Sequence, residues 1–101
     1  MTFEFSDCVL DPVAHTLTRG SELQAIEPQV FDLLLLLVKN AGVLVTKDQM
    51  VDEIWNGRIV SESAISARVA AVRRAVGDDG KQQAIIKTVP RRGLQFVAEV
   101  L

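Results

Sequence analysis

The chain has 101 residues, a formal net charge of −2 and 49% apolar side chains, which suits one domain with a core of its own. A single cysteine, Cys8, excludes an internal disulfide, and it reads as a small buried hydrophobe in "CVL". The longest apolar run, residues 33–38, is far too short to cross a bilayer, and "MTFEFSD" places acids where a signal peptide needs bases, so a soluble, cytoplasmic chain is expected with no membrane contact.

Residues 3–26 read as short strands, "FEF", "CVLD", "TLTR" and "ELQAI", separated by turn signals at Asp11–Pro12 and Arg19–Glu22. Such close spacing predicts an antiparallel meander. "EPQVFDLLLLLVKNAG" predicts a helix with Pro28 at its first position and Gly42 just past its end. Its leucine run is apolar nearly all round, so it is expected to be the most buried helix. "GVLVT" is a short β-branched segment. Thr46 and Gln49 have capping-box spacing and start a second helix at Lys47, with Met50, Val51, Ile54 and Trp55 on its apolar side and Asn56–Gly57 as its stop.

"SESAISARVAAVRRAVGDDG" predicts a third helix with Ser61 as N-cap, Glu62 in the first turn and Gly77 as terminator. Ile65, Val69, Val72 and Val76 form one stripe at helical spacing. The opposite stripe is Ser63, Ala67, Ala70 and Arg74, flanked by Ser66 and Arg73 on one side and by Ala64 and Ala71 on the other. Small residues let a helix approach a surface closely, and nearby arginines can grip phosphates or guanine edges. The bland alternative is a solvated alanine-rich face. "AIIKTV" and "GLQFVAEV" then predict a hairpin whose tip is Pro90, Arg91 and Arg92.

Charge is unevenly spread. Residues 1–57 hold nine acids and three bases, whereas residues 58–101 hold four acids and eight bases. That split points to a polyanion-facing surface on the second half. A second helix joined through "NGRIV" to a third with a polar, basic outer face matches a helix-turn-helix with a long turn. The hairpin arginines would reach phosphates or the minor groove of A·T tracts.

Nothing points to an enzyme or a cofactor. His15 has no cysteine or second histidine near it, so a metal site is not expected. No Ser/His/Asp set, phosphate loop or CxxC is present. "DDG" at Asp78–Gly80 reads as a turn, Trp55 as a core anchor, and Asp7 with Asp11 lack the rest of a receiver domain. The competing class is a protein-interaction module with little affinity for DNA.

The motifs "EPQVFDLLLLLVKNAGVLVTKDQMVDEIW", "VSESAISARVAAVRRAVGDDG" and "IIKTVPRRGLQFVA" together resemble the winged helix-turn-helix effector domain of the OmpR/PhoB type. "SESAIS", "RRAVGDDG" and "TVPRRG" are most similar to the CadC/ToxR-like transcriptional activators. The resemblance covers Phe3 to Val97 and implies an α+β fold of one domain, 1–101. Its parts would be a four-stranded N-terminal antiparallel sheet (about 3–26), three helices (about 28–77) and a C-terminal β-hairpin wing (about 84–98), with "GVLVT" as a third wing strand. The implied function is sequence-specific binding of double-stranded DNA by a bacterial transcriptional regulator, with helix 61–76 in the major groove.

The positions that match the family's DNA-facing residues are Ser63, Ser66, Ala67, Arg68, Ala70, Ala71, Arg73 and Arg74 on that helix. Thr88, Arg91, Arg92 and Gln95 match on the wing. Gly57, Arg58 and Ile59 fall in the loop that touches RNA polymerase in several relatives, with Arg58 the expected contact. Ala70 and Ala71 stand where relatives carry base-reading arginines, Leu94 replaces a common aromatic and Gln95 a basic residue. Those departures imply weak affinity of a single domain, rescued by homodimers on repeated half-sites. With no regulatory segment, the chain reads as the N-terminal domain of a longer protein, one that could be membrane-anchored.

Overall fold

Turn chemistry sets the first sheet. The computed structural model describes residues 1–101 and contains strands β1 (Phe3–Phe5), β2 (Cys8–Asp11), β3 (Thr16–Arg19) and β4 (Glu22–Leu23), paired antiparallel in the order β1-β2-β3-β4. Gly20 and Ser21 both take positive φ (56° and 70°) between the paired residues Arg19 and Glu22, as a two-residue hairpin turn of the twist-matching kind requires. The Asp11 carboxylate accepts the N–H groups of Val13 (3.0 Å) and Ala14 (3.1 Å), which closes the Asp–Pro turn. The fourth strand is shorter than "ELQAI" suggests. Only Glu22 and Leu23 pair; after Gln24 N–H bonds the Leu17 carbonyl (2.8 Å) the chain leaves the sheet. Ile26 then packs on the core, and Glu27 is extended (φ −71°, ψ 152°) as a residue before proline must be.

Helix α1 (Pro28–Lys39) begins on Pro28 and buries Val30, Phe31, Leu33, Leu34, Leu37 and Val38. It ends at Lys39, three residues before Gly42. Asn40 caps it, and its side-chain amide donates to the Leu36 carbonyl (2.8 Å). Gly42 (φ 81°) serves the next turn, donating its N–H to the Phe96 carbonyl (2.8 Å). β5 (Leu44–Thr46) leads directly into α2 (Lys47–Trp55), where the full capping box of Thr46 and Gln49 forms. Asn56 (φ 54°) and Gly57 (φ 76°) terminate it. α3 (Glu62–Val76) is capped by the Ser61 hydroxyl and ended by Gly77 at φ 80°. β6 (Ile86–Val89) and β7 (Gly93–Phe96) form the hairpin, and β5 joins it in the order β5-β7-β6.

One cluster of 20 buried apolar residues joins both sheets to the helices. Phe5 of β1 meets Phe96 of β7 edge to face, with centroids 5.0 Å apart. α1 lies between α2 and α3 and also touches β7. Cys8 is buried in this core; burial, with the Asp7 carboxylate beside it, pushes its pKa up to about 11, so it remains a thiol.

Asp78 is the one charged residue among the buried set. Its carboxylate accepts four backbone N–H groups, those of Asp79 (2.8 Å), Ala84 (2.9 Å), Ile85 (3.0 Å) and Ile86 (3.0 Å). The end of α3 is thereby tied to the start of β6. Burial by itself raises the carboxyl pKa, but these four donors outweigh it and hold the pKa below the ordinary value. The unfolded chain therefore binds this proton more tightly than the folded one. The stabilisation is complete above the usual carboxylate range and is lost as pH falls through the depressed folded pKa. Asp78→Asn leaves one acceptor oxygen for four donors and is expected to cost about 2–4 kcal/mol in urea unfolding at pH 7, with a smaller gap to the parent at pH 3. Equal urea midpoints at pH 7 would contradict this role.

Candidate nucleic-acid interface

α3 turns Ile65, Val69, Val72 and Val76 into the core and leaves Ser63, Ser66, Ala67, Ala70 and Arg74 exposed. Ala71, Arg68 and Arg73 are half-buried at the borders of the apolar stripe. The small-residue face is thus open to solvent along the middle of the helix, with its arginines in three different settings.

Arg73 points toward the hairpin. Its Nη2 donates to the Ile86 carbonyl (3.0 Å) and to Thr88 Oγ1 (2.8 Å), while its buried Nε has no partner. Arg68 points the other way, and its Nε donates to Gln29 Oε1 (3.1 Å), the oxygen that also accepts Trp55 Nε1 (3.3 Å). Gln29 therefore links α1, α2 and α3. Arg74 is free of such contacts and exposed. The internal bonds of Arg68 and Arg73 have a faint signal in the sequence. Each sits three or four residues from two residues of the apolar stripe, Arg68 from Ile65 and Val72, Arg73 from Val69 and Val76, so each rides the edge of the buried face.

The hairpin tip is a tight turn. Arg92 N–H donates to the Val89 carbonyl (3.0 Å), Pro90 takes the second position and Arg91 the third, at φ 66°. That is the type II pattern, in which the third position ordinarily favours glycine. Both arginine side chains are exposed. Gly93 follows at φ 157°, where an added Cβ would lie 2.0 Å from the Val45 carbonyl oxygen. Only glycine lets β5 approach β7 this closely, and the approach fixes where the tip stands. Gln95 is half-buried, opposite Leu44 and Lys87, and its amide donates to the Gly42 carbonyl (3.1 Å).

Between α3 and the hairpin lies an open cleft of about 290 Å³. Ser66, Ala70 and Arg73 line one wall, Thr88, Arg91 and Arg92 the other, and Met50, Ile65 and Val69 contribute apolar surface. Lys47 and Glu62 stand at its edge as an exposed ion pair. The cleft thus gathers four cations and one acid, in a chain that is net acidic. Arg74 does not share it. With Ala67, Arg68 and Ala71 it lines a second groove on the opposite flank of α3, against Ile26 and Glu27. In the loop before α3, Gly57, Arg58 and Ile59 are all exposed, and Ile59 stands fully in solvent. No helix is long and apolar enough to cross a membrane.

The chain is 23% identical over 94 residues to the transcriptional activator CadC of Escherichia coli K12, an alignment covering 92% of this chain and 18% of that protein. It is 33% identical over 94 residues to the response regulator MprA of Mycobacterium avium, covering 92% of this chain and 40% of that one. It therefore spans less than half the length of either relative. Among solved structures, the RstA DNA-binding domain of Klebsiella pneumoniae, in complex with its RstA box, superimposes with a TM-score of 0.84 at 24% identity, over 95% of this chain and 96% of that one. This likeness establishes the fold. Residues 21–96 match the family model described as transcriptional regulatory protein, C terminal, and the chain belongs to that family.

Proposed function

We propose that the chain is the double-stranded-DNA-binding domain of a bacterial transcriptional regulator, working in the cytoplasm. The observation that carries this reading is the cleft, where a helix with an open, small-residue face stands beside a hairpin bearing two exposed arginines, all on one side of the molecule. A 15-residue helix is about 22 Å long and about 10–12 Å across, a match for the major groove. Ser63, Ser66, Ala67 and Ala70 would meet base edges and methyl groups. Arg74 would take a phosphate on one flank, and Arg91 with Arg92 would take phosphates or the minor groove on the other. Gln95, tied to Gly42, is a poor candidate for direct contact, so the wing's grip would rest on Arg91 and Arg92.

The exposed loop supports a second contact. Arg58 and the fully exposed Ile59, neither of which lines the cleft, form a small apolar and cationic patch suited to RNA polymerase. With few base-reading side chains on α3, tight binding would need two copies on repeated half-sites.

A titration of duplex affinity against salt tests the reading. Log affinity is expected to fall linearly with log salt, and Arg91→Ala with Arg92→Ala to shrink the slope by about 1.8, two phosphates' worth. A salt-independent chain that captures proteins instead would be an interaction module. Arg91→Gly separates stability from binding. It relieves the left-handed backbone and should raise stability by about 0.5–1 kcal/mol in thermal melts while weakening DNA binding. Ile59→Ala is expected to leave gel shifts unchanged and reduce transcription from a bound promoter; intact transcription would remove the loop from the polymerase contact.

A further inference from the structure

The proposed wing contacts depend on how far Arg91 and Arg92 stand from α3, and one side chain bridges that gap. Arg73 projects from the last turn of α3 and donates from a single nitrogen to two acceptors on β6, the Ile86 carbonyl and Thr88 Oγ1. The peptide N–H of the same Ile86 is held by Asp78, just beyond the helix end. Thr88 is fixed in turn, its N–H donating to Gln83 Oε1 (2.8 Å). The root of the wing is thus pinned to α3 at both faces of one residue. Arg91 lies three residues beyond Thr88, at most about 10 Å along the chain, so a tilt at the root is carried to the tip.

Arg73 is also badly arranged for a free phosphate contact. It is half-buried, its Nε is sealed from solvent without a partner, and Nη2 already serves two oxygens. A lysine could supply the same charge but not a planar group lodged between helix and strand.

We infer that Arg73 is a positioning residue for DNA binding: through Ile86 and Thr88 it sets the distance between α3 and the wing, and Arg91 and Arg92 engage the duplex only while that link holds. The inference rests on the DNA-binding reading above.

The test is Thr88→Val, which removes the hydroxyl and changes no charge, measured in the full chain on a random-sequence duplex across a salt series. A direct hydroxyl–phosphate contact would weaken binding without moving the salt slope. Loss of positioning disengages two cations, so the slope should drop by up to about 1.8, as in Arg91→Ala with Arg92→Ala. Adding Thr88→Val to that double variant should then weaken binding less than twofold further. Arg73→Lys, which keeps the charge and guards against misfolding of the valine variant, should reproduce the lowered slope; thermal melts identify any variant that is simply unfolded. Independent, multiplicative effects, or a parental slope in both Thr88→Val and Arg73→Lys, would overturn the positioning role. A parent chain with no salt-dependent binding would overturn the DNA reading itself, a result recognisable before any variant is made.

Discussion

The arrangement of helix and wing depends on the backbone of one residue. Ile86 has its N–H bound by the Asp78 carboxylate and its C=O bound by the Arg73 guanidinium, and both partners come from the last turn of α3 or the residues just after it. A charge-assisted hydrogen bond is worth roughly twice a neutral one. A strand anchored through both backbone groups of one residue can neither slide along the helix nor rotate away from it without breaking one of the two bonds. The side chain of Ile86 is fully buried, so the same residue is fixed by packing as well. Hydrophobic burial is non-directional and would tolerate several wing angles. The two polar anchors select one of them.

That selection explains how an acidic domain can present a cationic surface. Its acids lie mostly before residue 58, whereas the hairpin and α3 carry most of the bases. Coulomb interactions between exposed charges fade within about 8–10 Å at physiological salt. A polyanion docking at the cleft would therefore feel Arg91 and Arg92, which line it, more strongly than any acid more than a screening length away. Glu62 is the exception at the cleft edge, and Lys47 neutralises it there. Net charge describes the molecule's solubility; it is the placement of cations around the cleft that bears on partners.

Much of this was legible in the sequence because local rules and global packing agree. Thr46 with Gln49, Ser61 and Gly77, and Asn56–Gly57 mark helix ends by mechanisms that act within four residues. The valine stripe of α3 fixes which face is left outside. What sequence could not give was long-range pairing. The side chain of Arg73 could equally have faced solvent; its acceptors lie 13 and 15 residues away and become available only once the hairpin folds back. Arg68 is the same case, with a partner 39 residues off. Asp78 read as one letter of a turn, yet four donors converge on it because the loop 79–85 wraps around its carboxylate. The early end of β4 has a similar cause, since Pro28 and the burial of Ile26 draw the chain off the sheet against its local pattern.

The two residues after Pro90 illustrate a conflict between stability and use. A type II turn favours glycine at the position of Arg91, and an L-residue there takes a left-handed backbone at a cost of about 1–2 kcal/mol. The cost is tolerated because the turn is over-determined on both sides: Pro90 presets the first dihedral, and Gly93 locks β7 against β5 where no other residue fits. A strained residue held this firmly cannot relax by shifting the tip, so its Cα–Cβ bond leaves the turn in a fixed direction. In that light the arginine pair reads as chemistry mounted on a frame built to hold it. Proline and glycine supply the frame, and the strain at Arg91 is the cost of placing a cation at the outermost point of the wing.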